Sequence, residues 1–190
     1  MLPSVTLVRH GETEWSASGR HTGRTDIPLT QEGERKARGL SERLHGMKFD
    51  RVFTSPLQRA SRTCALAGFA AAAKTDPDLL EWNYGDYEGR TTREILERRP
   101  GWLLFRDGCP NGEQPADLAT RADRVIAGLR ATDDRAILFS SGHILRVLAA
   151  RWLGLAASEG RLLLLGPASV SVLAYEHDKN EPAITLWNEV

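Results

Sequence analysis

Cysteine is scarce in this sequence of 190 residues, and long hydrophobic runs and unbalanced charge are lacking. The two cysteines, Cys64 and Cys109, lie 45 positions apart, which matches no metal-ligand spacing. We therefore expect two free thiols rather than a disulfide or a metal site. No apolar run approaches the roughly 20 residues that a membrane-spanning helix needs. The length instead suits one domain with a full hydrophobic core.

The charge balance argues against further classes of protein. Lys+Arg and Asp+Glu both number 25, so the formal net charge is zero. This argues against nucleic acid or an anionic membrane as the main partner, but a few arginines in one cleft would still bind a small anion. The start of the chain lacks a basic segment, a long apolar segment and a cleavage site, so we expect a cytoplasmic protein. A P-loop kinase is excluded because no Gly-rich loop leads into Lys and Ser or Thr.

Short apolar runs alternate with longer amphipathic ones along the chain, which predicts an α/β fold. Strands are predicted at 5–8, 51–54, 136–139, 169–175 and 183–187. Helices are predicted at 30–44, 56–73, 92–98, 114–130 and 143–153, with a loop at 100–115. We expect one domain over 1–190 with three layers, a largely parallel central sheet having helices on both faces.

Polar side chains follow three of the predicted strands. Arg9 and His10 follow the first, 55–59 follows the second, and 141–143 follows the strand at 136–139. Because ligands of open α/β sheets bind outside the carboxyl ends of the strands, we expect these groups to meet in one cleft.

The segment Arg9-His10-Gly11 carries the sharpest chemical signal. An imidazole beside a guanidinium at a strand end suits a histidine that attacks phosphorus, and Arg9 can donate to two phosphate oxygens. Gly11 lacks a Cβ, so we expect it to let a phosphate oxygen approach backbone N–H groups. The tripeptide alone is equally compatible with a buried structural histidine.

Three further segments add to this signal. Arg59 lies in the first turn of a predicted helix, where N–H groups favour an anion, although a lone arginine is more often a solvated surface residue. The segment 81–89 is rich in aromatic residues and glycine around acids, as pocket walls often are, but it would also suit an exposed turn. The segment 140–143 is followed one helical turn later by Arg146.

In this order the four segments resemble the histidine phosphatase (phosphoglycerate mutase-like) superfamily, and the resemblance covers nearly the whole chain. It implies that His10 is the phosphorylated nucleophile and that Arg9 and Arg59 bind the phosphate. Glu81 would protonate the leaving oxygen and later activate water.

The segments 13–16, 22–23, 81–89 and 106–109 look more closely like the sedoheptulose-1,7-bisphosphatase branch of that superfamily. By that resemblance the substrate contacts are Thr22, Gly23, Tyr84 and Arg146. His21 stands where that branch has a tyrosine.

One departure from the family pattern concerns the second catalytic histidine, which precedes a glycine in the family. Aligned on Gly142, that histidine is replaced by Ser141, and His143 matches a trailing histidine that is not catalytic. Three interpretations are open: His143 turns inward to compensate, the site works with Ser141 and one donor fewer, or the protein is inactive.

The resemblance implies a metal-independent phosphatase that needs no cofactor and acts on small phosphate esters. We expect the pKa of Glu81 to be raised, because a phosphate dianion and partial desolvation both disfavour the carboxylate. Mutase activity is disfavoured because in this family it accompanies an insertion after the Glu81 region, for which there is no room. A phosphoryl-ligand binder without turnover is the alternative of another class. Arg146, Thr22 and the Arg106 region would suit a sugar bisphosphate, and a three-carbon acid phosphate would also fit.

Overall fold

A six-stranded sheet forms the centre of the molecule in a computed structural model, which describes residues 2–190. Its strands are β1 (Val5–Arg9), β2 (Arg51–Thr54), β3 (Ala73–Thr75), β4 (Ala136–Ser140), β5 (Val170–Tyr175) and β6 (Pro182–Glu189). The spatial order is β3-β2-β4-β1-β5-β6. The first four strands in this order are parallel, and β5 is antiparallel to both of its neighbours. The sheet is therefore largely parallel, as expected.

Seven helices surround the sheet within the part of the chain described. They are α1 (Glu14–Ala17), α2 (Gln31–Arg43), α3 (Gln58–Leu66), α4 (Thr92–Arg98), α5 (Leu104–Asp107), α6 (Pro115–Arg130) and α7 (Gly142–Trp152). Short 3-10 turns lie at 70–72, 77–79, 85–87 and 157–162. None of the helices in residues 2–190 is both long and apolar enough to cross a membrane.

Two separate clusters of buried side chains pack on the two faces of the sheet. Leu7 and Leu138 belong to the cluster that includes α6 and α7, whereas Val8 and Phe139 belong to the one that includes Leu40 of α2. Adjacent strand residues point to opposite faces, and both faces are covered, which explains why β1 and β4 are largely apolar. The three-layer arrangement of the α/β fold follows.

The predicted helix at 56–73 is wrong at both ends. The helix α3 begins only at Gln58 and ends at Leu66, after which Gly68 adopts φ +92° and stops it. The following alanines form a 3-10 turn and then β3, in which Ala73 pairs with Val52. Alanine has the highest helix propensity, but this local preference is overridden by pairing at the sheet edge.

Other local features also differ from the expectation. The predicted loop at 100–115 contains α5, and α1 was not predicted. Cys64 and Cys109 are buried free thiols, as expected, and burial raises the pKa of each to about 12.

The register of the parallel strands brings the predicted site segments together. Arg9 pairs with Ser140, and Thr54 pairs with Phe139. The residues that follow, His10, Ser55 and Ser141, therefore emerge side by side at the carboxyl edge of the sheet.

Candidate active site

A cavity of about 270 Å³ opens at this edge of the sheet. Its size suits a small metabolite rather than a macromolecule. Three predicted site residues, Arg59, Gly23 and Ser141, do not line it. The predicted residues that do line it are Arg9, His10, Thr22, Glu81, Tyr84, Gly142, His143 and Arg146.

The imidazole of His10 lies at the cavity and is only 4% exposed. Its Nδ1 is 2.7 Å from the carbonyl oxygen of Gly11, which can only accept, so Nδ1 carries the proton and Nε2 keeps its lone pair. Burial lowers the pKa of His10 to about 3, and the positive charges of Arg59 and Arg9 act in the same direction. The ring is therefore neutral and nucleophilic at physiological pH.

Gly11 has a different role from the one expected. A Cβ at this position would lie 2.5 Å from the carbonyl oxygen of Gly33, so the glycine allows the chain to pack against the start of α2. Its N–H donates to Thr63 at 3.0 Å and is not free for a phosphate. The expectation that Gly11 opens backbone N–H groups to the phosphate is therefore wrong for its own N–H.

The guanidinium of Arg9 lies beside Gly142 on the cavity wall. A Cβ on Gly142 would be 3.3 Å from Arg9 Nε, so the glycine leaves room for the guanidinium. Arg9 Nη1 donates to the carbonyl of Leu165, while Nε has no hydrogen-bond partner among residues 2–190. Arg9 thus combines an anchored end with a free donor.

Arg59 is completely buried, and its terminal nitrogens are already engaged. Nη2 donates to the carbonyls of Thr22 and Gly23 at 3.1 and 2.8 Å, and Nη1 donates to that of Thr25 at 3.0 Å. In this structure Arg59 therefore holds the loop at 22–25 and contributes positive charge near His10. Its expected phosphate contact would have to use a nitrogen that is not on the cavity wall.

Glu88 holds the same loop from the other side. Its Oε1 accepts from the N–H groups of Gly23 and Thr25 at 2.8 and 3.1 Å. A Cβ on Gly23 would lie 2.4 Å from the carbonyl oxygen of Trp82, so Gly23 is required for packing and does not contact the cavity. The loop is thus bound through its carbonyls by Arg59 and through its N–H groups by Glu88, which positions Thr22 at the cavity.

The carboxylate of Glu81 is bound at the N-terminus of α7. Oε2 accepts from the backbone N–H of His143, and Oε1 accepts from those of Ile144 and Trp82, all at 2.9 Å. Burial alone would raise the pKa of Glu81, but the nearby His143 side chain and hydrogen bonds from the backbone N–H groups of His143 and Trp82 outweigh burial and hold the pKa well below its usual range. The expectation of a raised pKa is therefore wrong for the protein without a bound phosphate, because it overlooked these donors.

His143 turns inward to the cavity, whereas Ser141 does not reach it. Nδ1 of His143 lies 2.6 Å from the hydroxyl of Tyr84 and 3.7 Å from Glu81 Oε2. Burial lowers the pKa of His143, so its ring is neutral near pH 7. Among the three interpretations of the altered motif, this position favours compensation by His143.

Several buried polar atoms near His10 have no hydrogen-bond partner within residues 2–190. Four of the five belong to residues at or next to strand ends and one to Arg59 in the first turn of α3, and such orphaned groups are rare in native proteins. Of the residues concerned only Arg9 lines the cavity, so its Nε–H is the donor placed to bind an oxyanion. The atoms are Arg9 Nε, Ser55 Oγ, Arg59 Nε, Ser141 Oγ and Ser169 Oγ.

The family model of the histidine phosphatase superfamily (branch 1) matches residues 5–190. The chain belongs to this superfamily. An acid phosphatase of Mycobacterium tuberculosis is 40% identical over 184 residues, covering 95% of this chain and 90% of that protein. A sedoheptulose 1,7-bisphosphatase of Saccharomyces cerevisiae is 39% identical over 187 residues, covering 82% and 69%.

Other members of the superfamily extend this similarity. A probable phosphoglycerate mutase, GpmB, of Cronobacter sakazakii is 34% identical over 182 residues, covering 90% of this chain and 85% of that protein. A solved structure of an open reading frame product from Mycobacterium tuberculosis has a TM-score of 0.93 and 34% identity, covering 99% and 98%. The expected family and the sedoheptulose-bisphosphatase-like resemblance are thus confirmed, and relatives include both phosphatases and mutases.

Sequence reasoning missed part of the wall of this histidine phosphatase cavity. Arg20, Thr92 and Leu165 line it. Arg20 forms an isolated bridge with the residue before Thr92, a contact between segments about 70 positions apart that no motif signals. Leu165 contributes a backbone carbonyl, which any residue type would supply. The expected Arg106 region, by contrast, does not line the cavity: the guanidinium of Arg106 pairs with its neighbour Asp107 at 2.8 Å.

Proposed function

We propose that this histidine phosphatase hydrolyses small phosphate esters without a metal, through a phosphohistidine on His10. The observation that carries the proposal is the state of that ring: it is buried and neutral, with Nδ1 bound to the Gly11 carbonyl and Nε2 free. A neutral imidazole that keeps one lone pair beside two arginines is poised to attack an anionic phosphate.

In the first step, Nε2 of His10 attacks phosphorus in line with the ester oxygen, and the P–O bond breaks as the P–N bond forms. Arg9 stabilises the charge on the equatorial oxygens through its free Nε–H. His143 donates a hydrogen bond to the same phosphoryl group and so replaces the second histidine of the family. The protein contributes mainly positioning and charge stabilisation, as expected for phosphoryl transfer.

Glu81 donates a proton in the first step and accepts one in the second. A bound phosphate dianion is a like charge, so it raises the pKa of this carboxyl toward the value that a proton donor to the leaving oxygen requires. In the second step the carboxylate takes a proton from the water that attacks phosphorus. The P–N bond then breaks, and inorganic phosphate leaves with His10 restored.

The substrate class that best suits the cavity is a sugar phosphate or bisphosphate. Arg146 lines the cavity, with Nε and Nη2 donating to the carbonyls of Gly160 and Arg161 at 3.0 Å. These bonds leave Nη1 available for a second anionic group or a sugar hydroxyl. The similarity to a sedoheptulose 1,7-bisphosphatase supports this class.

Phosphoglycerate mutase activity is the second candidate function, because a probable mutase is among the relatives. Hydrolysis is favoured by the segment that follows Glu81. Up to Gly142 this segment holds only a 3-10 turn, α4, α5, α6 and β4, without the insertion that accompanies mutase activity in the family.

Trapping the intermediate tests the proposal. A phosphohistidine is a phosphoramidate, so the label from a phosphate ester should be acid-labile, alkali-stable and absent from His10→Ala. The matched control is His177→Ala, which removes an exposed histidine from the β5–β6 hairpin and should leave labelling unchanged. Full turnover in His10→Ala would place the nucleophile elsewhere, and binding of phosphate esters without any turnover would favour the phosphoryl-ligand binder.

A further inference from the structure

Tyr84 forms its hydrogen bond with a group that lies at the cavity. The residue is only 1% exposed, and its hydroxyl lies 2.6 Å from Nδ1 of His143. That nitrogen is the hydroxyl's sole hydrogen-bond partner within residues 2–190. Sequence similarity assigned Tyr84 a contact with the substrate, whereas the geometry places its hydroxyl on a ring nitrogen.

The direction of this hydrogen bond follows from what each partner can donate. If Nδ1 carried the proton and donated to Tyr84, the buried phenolic O–H would have no acceptor among residues 2–190, and a buried polar group without a partner is destabilising. Donation from Nδ1 to Glu81 Oε2 is excluded as an alternative, because 3.7 Å is beyond hydrogen-bond distance. The arrangement that satisfies both groups has Tyr84 donating to an unprotonated Nδ1, which leaves the ring proton on Nε2.

The surroundings keep the ring in this orientation. Its centroid lies 5.4 Å from that of Phe105 and 6.4 Å from that of Trp82, with the Trp82 plane nearly perpendicular. The backbone N–H of His143 is held by Glu81. A ring packed on these sides and bonded at Nδ1 has Nε2 as its remaining polar atom.

We propose that Tyr84 is a positioning residue, which fixes His143 in the Nε2–H tautomer so that its ring acts as a hydrogen-bond donor at the cavity. The donor role toward the substrate phosphate rests on the proposed function, while the tautomer is a property of the free protein. Tyr84 thereby allows His143 to act in place of the second family histidine, which is replaced by Ser141 in this chain.

Nitrogen-15 NMR of the His143 ring in the full chain, without substrate, tests the tautomer. We expect the proton on Nε2 in the wild type and a shift toward Nδ1–H in Tyr84→Phe, since the phenolic donor is lost and Glu81 then attracts the proton. The matched control is Tyr87→Phe, which removes a hydroxyl without a hydrogen bond from the same segment and should leave the tautomer unchanged. A proton on Nδ1 in the wild type would overturn the proposal.

Kinetics with an aryl phosphate separate positioning from substrate contact. In Tyr84→Phe, kcat should fall on the order of tenfold, because part of a donor of the oxyanion-hole kind is lost, with little change in KM. A rise in KM alone would make Tyr84 a substrate contact and overturn its positioning role. If the wild type hydrolyses no phosphate ester, the proposed function fails and so does the donor role, but the NMR result still decides the tautomer.

Discussion

The neutral state of His10 predicts that the proposed nucleophile stays available at acidic pH. Burial, with the added effect of Arg59 and Arg9, lowers the pKa of His10 to about 3. At pH 5 about 99% of such a ring is neutral, against about 3% for a histidine with the ordinary pKa of about 6.5. The nucleophile concentration at pH 5 is thus about 30-fold higher than an unperturbed histidine would provide.

The assay combines kinetics with direct titration of the ring. The profile of kcat/KM against pH reports ionisations of the free enzyme and of the substrate phosphate, whose second pKa lies near 6. The His10 ring should therefore also be followed by NMR, and it should not titrate between pH 8 and about 4. A ring that titrates near pH 6.5 in the folded protein would refute the reasoning.

A charge variant tests the cause of the shift. Arg59→Gln removes a positive charge near His10 and should raise the pKa of its ring, although burial keeps the pKa below the ordinary value. Arg62→Gln lies one turn further along α3 on the surface, paired with Glu34, and should leave the pKa unchanged. Equal shifts in both variants would show that general surface charge, rather than the buried guanidinium, is responsible.

The same shift has a consequence for stability. A neutral buried histidine cannot take up the proton that the unfolded chain binds below about pH 6.5, so the free energy of unfolding falls as the pH drops from about 6.5 toward 3. For His10 alone this amounts to about 2 kcal/mol at pH 5. Denaturant unfolding should show that His10→Ala loses less stability between pH 7 and 5 than the wild type does.

Further results are expected for metal dependence, for mutase activity and for variants of the site. Hydrolysis of small phosphate esters should survive saturating chelator, and a coupled assay should find mutase turnover of 3-phosphoglycerate negligible beside hydrolysis; restoration by a divalent ion would contradict the mechanism. Glu81→Gln should slow alkyl phosphates more than aryl phosphates, because poor leaving groups need the proton most, and equal losses would argue against the acid role. His143→Ala should lower kcat on the order of a hundredfold, while Ser141→His should raise it only slightly. The reverse pattern would show that position 141, rather than His143, supplies the hydrogen-bond donor to the phosphoryl group.

The buried strands and their functional ends were predictable from the sequence because the signals are local. The apolar runs of β1 and β4 are buried on both faces, and a polar residue directly after such a run must lie at the sheet edge. The end of α3 was not predictable in the same way. It depends on Gly68 and on the pairing of Ala73 with Val52, a contact across 21 positions.

The electrostatic state of the site depends on contacts that are distant in sequence. Glu81 has a lowered pKa because the side chain and the backbone N–H of His143, 62 positions away, favour its carboxylate, and a contact with a backbone group leaves no trace in a motif. Arg59 carries a motif, yet its role in holding the carbonyls at 22–25 follows from burial that the motif does not encode. A motif therefore predicts which residues lie together, but not which of their atoms already form hydrogen bonds within the protein.

Position in a motif and position in space differ most at the start of α7. Ser141 precedes the first turn of the helix, with its hydroxyl buried and without a partner in residues 2–190. His143 is the second residue of the helix, and that half turn brings its ring to the cavity beside Tyr84 and Glu81. A substitution at the first position thus leaves an imidazole within the same site, provided that its tautomer is fixed. This is why the loss of the family histidine at Ser141 does not by itself predict the loss of a donor.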